Sequence, residues 1–176
     1  MPSSSISLHT PTREGYTFKG WYTNSSLTKK ITKIAKGSHT NIKLYAKWKK
    51  NIASTQTILS VSDHITKAAN YYKTALDYGA AARTDLYYSR AFDYLQAAMV
   101  EYYKAYSTSK KYYTFKNVNK DLEKIISILY SRIGEYDSYY DNKTLVRIYT
   151  LKGLTETYDL VVSVNDKMLT ILKSLK

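Results

Sequence analysis

Cysteine is absent from the 176 residues. Its absence excludes disulfides, thiolate zinc sites and thiol nucleophiles. Proline occurs twice and glycine six times, so few positions punctuate the chain. No apolar run approaches the roughly 18 residues of a membrane-spanning helix, and the Ser-rich start has no signal-peptide core. Acidic residues are scarce: 14 Asp+Glu stand against 27 Lys+Arg, for a net charge of +13. Such a balance first suggests nucleic acid or an anionic surface.

Catalytic signatures are also missing. The phosphate-binding GxxxxGK[ST] and GxGxxG patterns, the GxSxG elbow and the HExxH zinc helix do not occur. His9, His39 and His64 are scattered without helix-spaced ligand partners, so a metal site is not expected and a solvated or loop histidine is the better account. Asp63-His64 invites a dyad, yet no nucleophile stands at a matching spacing, and His64 lies off the apolar stripe of its helix. Glu135 with Asp137, and Glu156 with Asp159, read as helix-surface charges, because a carboxylate pair needs a shaped cleft between its members. The expectation is a non-enzymatic protein without a cofactor.

What is present divides the chain in two. Residues 1–50 hold ten basic side chains and one acid, Glu14, for +9; residues 51–176 hold 17 basic and 13 acidic ones, for +4. Of the 20 tyrosines, only Tyr16, Tyr22 and Tyr45 fall in the first part. Two compositions imply two modules, 1–50 and 51–176, and the hydrophobic period changes at the same place.

In the first module, Pro11 fixes its own φ and interrupts any preceding element. Gly15 and Gly20 bracket an aromatic run, and Gly20 inside Phe18–Tyr22 is consistent with a β-bulge. Ile42, Leu44, Ala46 and Trp48 alternate with Lys43, Tyr45 and Lys47, the period of a half-buried strand. Residues 23–41 read as a long polar connection with a short strand or turn at Ile31–Ile34.

The run PTREGYTFKGWYT, a polar connection and then LYAKW closely resembles the Listeria–Bacteroides repeat, also called the internalin B-repeat. The resemblance covers residues 6–48 and is carried by Pro11, Gly15, Tyr16, Phe18, Gly20, Trp21, Tyr22, Leu44, Tyr45, Ala46 and Trp48. It implies a β-grasp-like spacer or adhesion unit of bacterial surface and secreted proteins, located outside the cell or in its wall, in which those positions are structural. A complete repeat of this family opens with a further strand hairpin, of which Ile6-Ser7-Leu8 matches the end. The module is therefore expected to be a truncated repeat, and its remaining strands to show an unpaired edge and a partly exposed aromatic core.

From Thr55 the apolar period becomes helical. Ile58, Val61, Ile65, Ala68, Ala69, Tyr72 and Leu76 form one stripe, with Gly79 as an expected C-cap. Thr84-Asp85 opens a second helix with the stripe Tyr88, Ala91, Phe92, Leu95, Ala98, Met99, Tyr102 and Tyr106. After a connection at 107–117, Asn117 or Asn119 caps a third, with Val118, Leu122, Ile125, Ile126, Leu129, Ile133, Tyr136 and Tyr140. Asp141 caps a fourth, with Leu145, Ile148, Tyr149, Leu151, Tyr158, Val161, Val162, Met168, Leu169 and Leu172, and with Gly153 as a kink or close-packing point. The fold class is α+β, mainly α: a truncated β-grasp-like repeat followed by an antiparallel bundle of four helices, or of three with the first detached.

Tyr-Tyr pairs recur at 71–72, 87–88, 102–103, 112–113 and 139–140. Neighbours on a helix point about 100° apart, so one ring is expected inside and the other at the boundary. The alternative use is a recognition face for a glycan or protein of the host or of the wall. Candidate binding residues are the basic Lys29, Lys30 and Lys33, and the basic-aromatic link Lys110, Lys111, Tyr112 and Tyr113. A nucleic-acid partner is the weaker reading, since no nucleic-acid motif accompanies the charge and Tyr16, Phe18 and Trp21 fill repeat-core positions.

Overall fold

A computed structural model describes residues 4–38, 41–80, 85–138 and 143–175. The chain forms two compact units, one of Met1–Ile52 with Lys111–Tyr113 and one of Ala53–Lys110 with Thr114–Lys176.

The first unit is built from short antiparallel strands. β1 (Ile6–Ser7) pairs with β4 (Lys33–Ile34), and β2 (Tyr16–Tyr22) lies between β3 (Lys30–Ile31) and β5 (Tyr45–Lys50). The expected element at Ile31–Ile34 is thus two short strands in different sheets. Tyr16 lies opposite Lys50 and Phe18 opposite Trp48, but Gly20 lies opposite Lys47, so Lys19 is an extra residue in β2. Gly20 sits at φ +133°, which the bulge requires and few other residues adopt. The extra residue resets the alternation and puts both Phe18 and Trp21 on one face. There Phe18 meets Trp21 at 5.5 Å and Trp48 at 5.3 Å between ring centroids, both edge-to-face. Phe18, Trp21 and Trp48 are half-buried, matching the expectation of a partly exposed aromatic core.

Tyr113 belongs to this unit. Its ring packs edge-on to Tyr16 at 5.3 Å, and its N–H donates to the Asn51 carbonyl at 2.8 Å. The Asn51 N–H in turn donates to the Gly15 carbonyl at 2.9 Å.

The second unit contains α1 (Thr55–Ala80), α2 (Asp85–Ser109), α3 (Lys116–Ser138) and α4 (Lys143–Lys173), with a 3-10 turn at Tyr113–Phe115 before α3. Ser54 caps α1, its hydroxyl accepting from the Thr57 N–H at 3.2 Å. The direction of each helix pair follows from its rungs. Tyr71 stacks on Tyr94 while Tyr78 meets Tyr87, so α1 and α2 are antiparallel. Ser109 bonds Asn119 and Tyr106 bonds Glu123 between α2 and α3. Arg132 meets Glu156, and Asp121 meets Ser163 and Lys167, between α3 and α4. α1 also packs on α4 as well as on α2, so the first helix is part of the bundle.

The stripes of α1 to α3 are the buried faces: Ile58, Val61, Ile65, Ala68 and Tyr72; Tyr88, Ala91, Phe92, Leu95, Ala98 and Tyr102; Val118, Leu122, Ile125 and Leu129. Tyr72, Tyr88 and Tyr102 are buried, whereas their neighbours Tyr71, Tyr87 and Tyr103 are exposed. The pair Tyr112-Tyr113 is half-buried at both positions, and 139–140 lie outside the described residues.

α4 differs from its expected stripe. Its buried positions are Leu154, Thr157, Val161, Val164 and Met168, while Tyr158, Val162 and Leu169 are exposed. Thr157 is accommodated because its hydroxyl donates to the Gly153 carbonyl at 2.7 Å. Leu145, Ile148, Tyr149 and Leu151 lie outside the described side chains, as do Tyr136, Tyr140, Thr84 and Asp141. Gly79 is not a C-cap. It is helical and buried, and a Cβ there would stand 2.9 Å from Leu154 Cδ1, so its smallness serves the α1–α4 contact. Gly153 likewise faces Leu95 Cδ1 at 3.6 Å and Arg132 Cγ at 3.7 Å, as a close-packing point. The connection expected at 107–117 shortens to a few residues, because α2 runs to Ser109 and α3 starts at Lys116.

One core group is left without compensation. The Tyr102 hydroxyl is fully buried with no hydrogen-bond partner among the described residues, and burial pushes its ionisation well above the usual phenol range. Nearby, the Tyr72 hydroxyl donates to the Leu154 carbonyl. Tyr102→Phe is therefore expected to raise stability by about 1 kcal/mol, the desolvation penalty of an unpaired hydroxyl. Urea unfolding of the two proteins checks this, and an equal or lower midpoint for the variant would contradict it.

Candidate functional site

The two faces of the β3-β2-β5 sheet carry different chemistry. Side chains directly opposite one another in antiparallel strands point the same way. Tyr16, Phe18, Trp21, Ala46, Trp48 and Lys50 therefore share one face, and Gly20, Tyr22, Lys30, Tyr45, Lys47 and Lys49 the other. On the aromatic face, Arg13 places its guanidinium 3.9 Å above the Tyr16 ring, and Lys50 places its ammonium 4.1 Å from the Tyr113 ring. The Trp21 Nε1–H donates to the His9 carbonyl at 2.7 Å, so His9 contributes its backbone there.

The lysine face is assembled by the turn that returns β2 to β3. The Asn24 side chain accepts from the Thr28 and Lys29 N–H groups at 3.2 and 2.9 Å, and the Thr23 N–H donates to the Lys29 carbonyl at 3.0 Å. This Asx-type turn brings Lys30 opposite Tyr22. The Lys30 stem then lies across Gly20: a Cβ on Gly20 would be 2.5 Å from Lys30 Cε and 3.3 Å from Nζ. Lys47 Nζ stands 5.5 Å from the Tyr22 ring, and Lys43 Nζ 5.5 Å from the Tyr45 ring. Tyr22 is only 9% exposed, consistent with lysine stems lying over its ring.

Of the candidate binding residues, Lys30 joins this face. Lys29 supplies backbone bonds to the turn, and Lys33 sits opposite Ser7 in the other sheet. In the link, the Lys111 carbonyl accepts from Asn51 Nδ2 at 3.2 Å, Lys110 Nζ lies 5.4 Å from the Tyr106 ring, and Tyr113 packs on Tyr16. Tyr112 is half-buried. Lys43, Lys47 and Lys49 are additions to the candidate set. The alternation of Lys43 and Lys47 with apolar residues was visible, but the meeting of Lys47 and Lys49 with Lys30 depends on the bulge and on the β2–β3 turn.

Charge in the helical unit is handled differently. Glu101, nearly buried, holds Lys104 Nζ at 2.6 Å and His64 Nδ1 at 2.7 Å. His64 is thus engaged with a carboxylate 37 residues away, rather than simply solvated. Asp63 pairs with Lys67 at 2.7 Å and not with its neighbour His64. Glu156 takes both nitrogens of the Arg132 fork at 3.0 Å, so it is a half-buried structural acid. Asp159 is exposed. His39 and the side chains of Glu135 and Asp137 lie outside the described residues.

Two acids make stability pH-dependent. The hydrogen bond from Lys104 holds the Glu101 carboxyl below its ordinary value; burial works against this and His64 adds to it. For Asp121, burial pushes the carboxyl up, but Lys167 and Ser163 together outweigh it and the net direction is down. A depressed folded-state pKa gives stability that is present above the unfolded value and lost as pH falls through the folded one. These groups therefore contribute fully near neutrality, and their contribution declines below the ordinary carboxylate range. In urea unfolding from neutral to acid pH, E101Q/D121N is expected to lose less stability than the parent over the acid limb. An identical slope for both proteins would refute this.

The tyrosines between α1 and α2 serve mainly one another. Tyr71, Tyr94 and Tyr78 stack in series, at 6.3 and 5.5 Å, and Tyr87 follows at 6.0 Å from Tyr78. Between α2 and α3, Tyr103 and Tyr130 are exposed beside Tyr106, whose hydroxyl bonds Glu123, and an open groove runs among them.

Among the described residues the chain thus forms four helices and a small antiparallel β unit with one aromatic and one cationic face. Residues 3–47 match the family model of the Listeria-Bacteroides repeat domain, a non-catalytic repeat of bacterial surface proteins. That match takes in β1 to β4 and the first half of β5, and ends before Trp48, Lys49 and Lys50. No curated protein and no solved structure matches the chain. No described helix is long and apolar enough to cross a membrane.

Proposed function

We propose that the chain is a non-enzymatic structural or adhesion segment of a bacterial cell-surface or secreted protein, acting outside the cell or in its wall. The match of residues 3–47 to a bacterial surface repeat carries this reading. The half-buried Phe18 and Trp21 within the match, with Trp48 just beyond it, support it, because they pack on one another and serve the fold. Cell fractionation with an antibody against the chain tests it: the protein should be recovered with the wall or the medium. Recovery in the cytosolic fraction would reject it.

A second reading assigns binding to the helical unit, as a glycan- or protein-binding head. It is favoured by the exposed rings of Tyr103 and Tyr130 beside the α2–α3 groove. Screening the full chain and Y103A/Y130A on a glycan array tests it. Signals that vanish in the variant support the head, and unchanged or absent signals reject it.

A further inference from the structure

We propose that the lysine face of the β3-β2-β5 sheet is a docking site for a linear phosphodiester polymer that carries no bases, of the polyol-phosphate kind.

Three observations lead there. First, Lys30 from β3 and Lys47 and Lys49 from β5 come onto one face, and Lys43 lies against a ring of that face. Lys47 and Lys49 are two residues apart along β5, about 7 Å, and Lys30 lies two strand spacings across the sheet, about 10 Å. A flexible chain with a charge on each backbone unit can meet such a row in succession.

Second, among the described residues these ammonium groups have no carboxylate partner. Every salt bridge found among the described residues lies in the helical unit, where carboxylates engage Lys67, Lys104, Arg132, Lys152 and Lys167. The sole acid of residues 1–50 is Glu14, and Lys30, Lys43, Lys47 and Lys49 are exposed. Like charges gathered on one face repel one another, and a bound polyanion relieves that repulsion while releasing its own counterions.

Third, the rings of this face are already used. Lys47 lies over Tyr22, Lys43 over Tyr45, and Tyr22 is almost wholly covered. Proteins that hold single-stranded nucleic acid stack its bases on open aromatic faces. This face offers ammonium point charges, and each of its two rings already carries a lysine, which suits phosphate without a base. The fork-bearing Arg13, which could hold an anion bidentately, lies against Tyr16 on the opposite face, so this face binds through point charges alone.

The choice of a wall-type polymer rests on the surface reading above, whereas the site itself rests on the sheet. Isothermal titration of the full chain with purified poly(glycerol phosphate), repeated over a salt series, tests the proposal. Four neutralised phosphates on a flexible strand predict that affinity falls about 50-fold between about 50 and 200 mM salt. K30E/K47E/K49E should bind at least about tenfold more weakly at the lower salt, with K30A/K47A/K49A between it and the parent. A control of equal net charge, K73E/K120E/K173E on the exposed helix surfaces, should stay within about threefold of the parent. Near-UV circular dichroism of the tryptophans identifies any variant whose sheet has unfolded, and the alanine set then decides.

Equal losses in the sheet and control variants would overturn the site, as would no binding by the parent at low salt. Oligothymidylate of equal phosphate number should bind more weakly than the polyol phosphate; equal or tighter binding would overturn the choice of polymer in favour of nucleic acid. Because binding is measured on purified protein, its failure leaves the surface reading standing. A cytosolic location with intact binding would reject the surface reading alone.

Discussion

Phe115→Ala is expected to lower the unfolding free energy of the helical unit by about 3–5 kcal/mol, the usual cost of emptying a fully buried phenylalanine site. Phe115 has no exposed surface and closes the 3-10 turn that leads into α3. Two residues earlier, Tyr113 belongs to the β unit and packs on Tyr16. The same substitution at Tyr113 should therefore leave the helical unfolding midpoint nearly unchanged and alter the aromatic near-UV signal instead. Urea unfolding followed separately by far-UV and near-UV circular dichroism measures both. Equal helical destabilisation by the two variants would contradict the assignment of these neighbours to different units.

Gly15→Val is expected to cost the β unit about 2–6 kcal/mol. Gly15 sits at φ +74°, where a β-branched residue carries roughly 1–3 kcal/mol of strain. Its Cβ would also stand 2.9 Å from the Tyr113 nitrogen and 3.0 Å from its Cα. Those are backbone atoms held by the Asn51 carbonyl, so they cannot swing aside as a lysine tip could, and the overlap adds a further 1–3 kcal/mol or so. A three-stranded sheet with a half-exposed core has little stability to spare. The tryptophan near-UV signal should be largely lost while the helical far-UV signal persists. An unchanged near-UV spectrum would contradict this. Gly20→Ala should be milder in space, because its nearest contact is the flexible end of Lys30.

Much of the architecture could be read from the chain because single residues carried the signal. Gly20 within an aromatic strand marked the bulge, and the register shift is there. The stripes of α1, α2 and α3 were legible because their buried positions are apolar by type. α4 was misread where that rule fails: Thr157 is buried at a core position with its hydroxyl returned to the Gly153 carbonyl, so counting it as polar moved the stripe toward Tyr158, Val162 and Leu169. Gly79 was misread for a related reason. A glycine near a helix end suggests a cap, whereas here its missing side chain admits Leu154 from another helix. Pairings distant in sequence left no local trace. His64 with Glu101 and Lys30 with Lys47 are products of the packed helices and of the bulged sheet. Lys29, Lys30 and Lys33 looked like one cluster in the chain, but the strands divide them: Lys30 joins the cationic face, Lys33 pairs into the second sheet, and Lys29 holds a turn.

The central claim is that this chain works on the outside of a bacterial cell. Labelling intact cells with a membrane-impermeant amine reagent, then locating the modified lysines by mass spectrometry, tests it most directly. Exposed lysines of both units away from the cationic face, among them Lys36, Lys73 and Lys120, should be modified on intact cells as fully as in a lysate. Modification only after lysis would contradict the account.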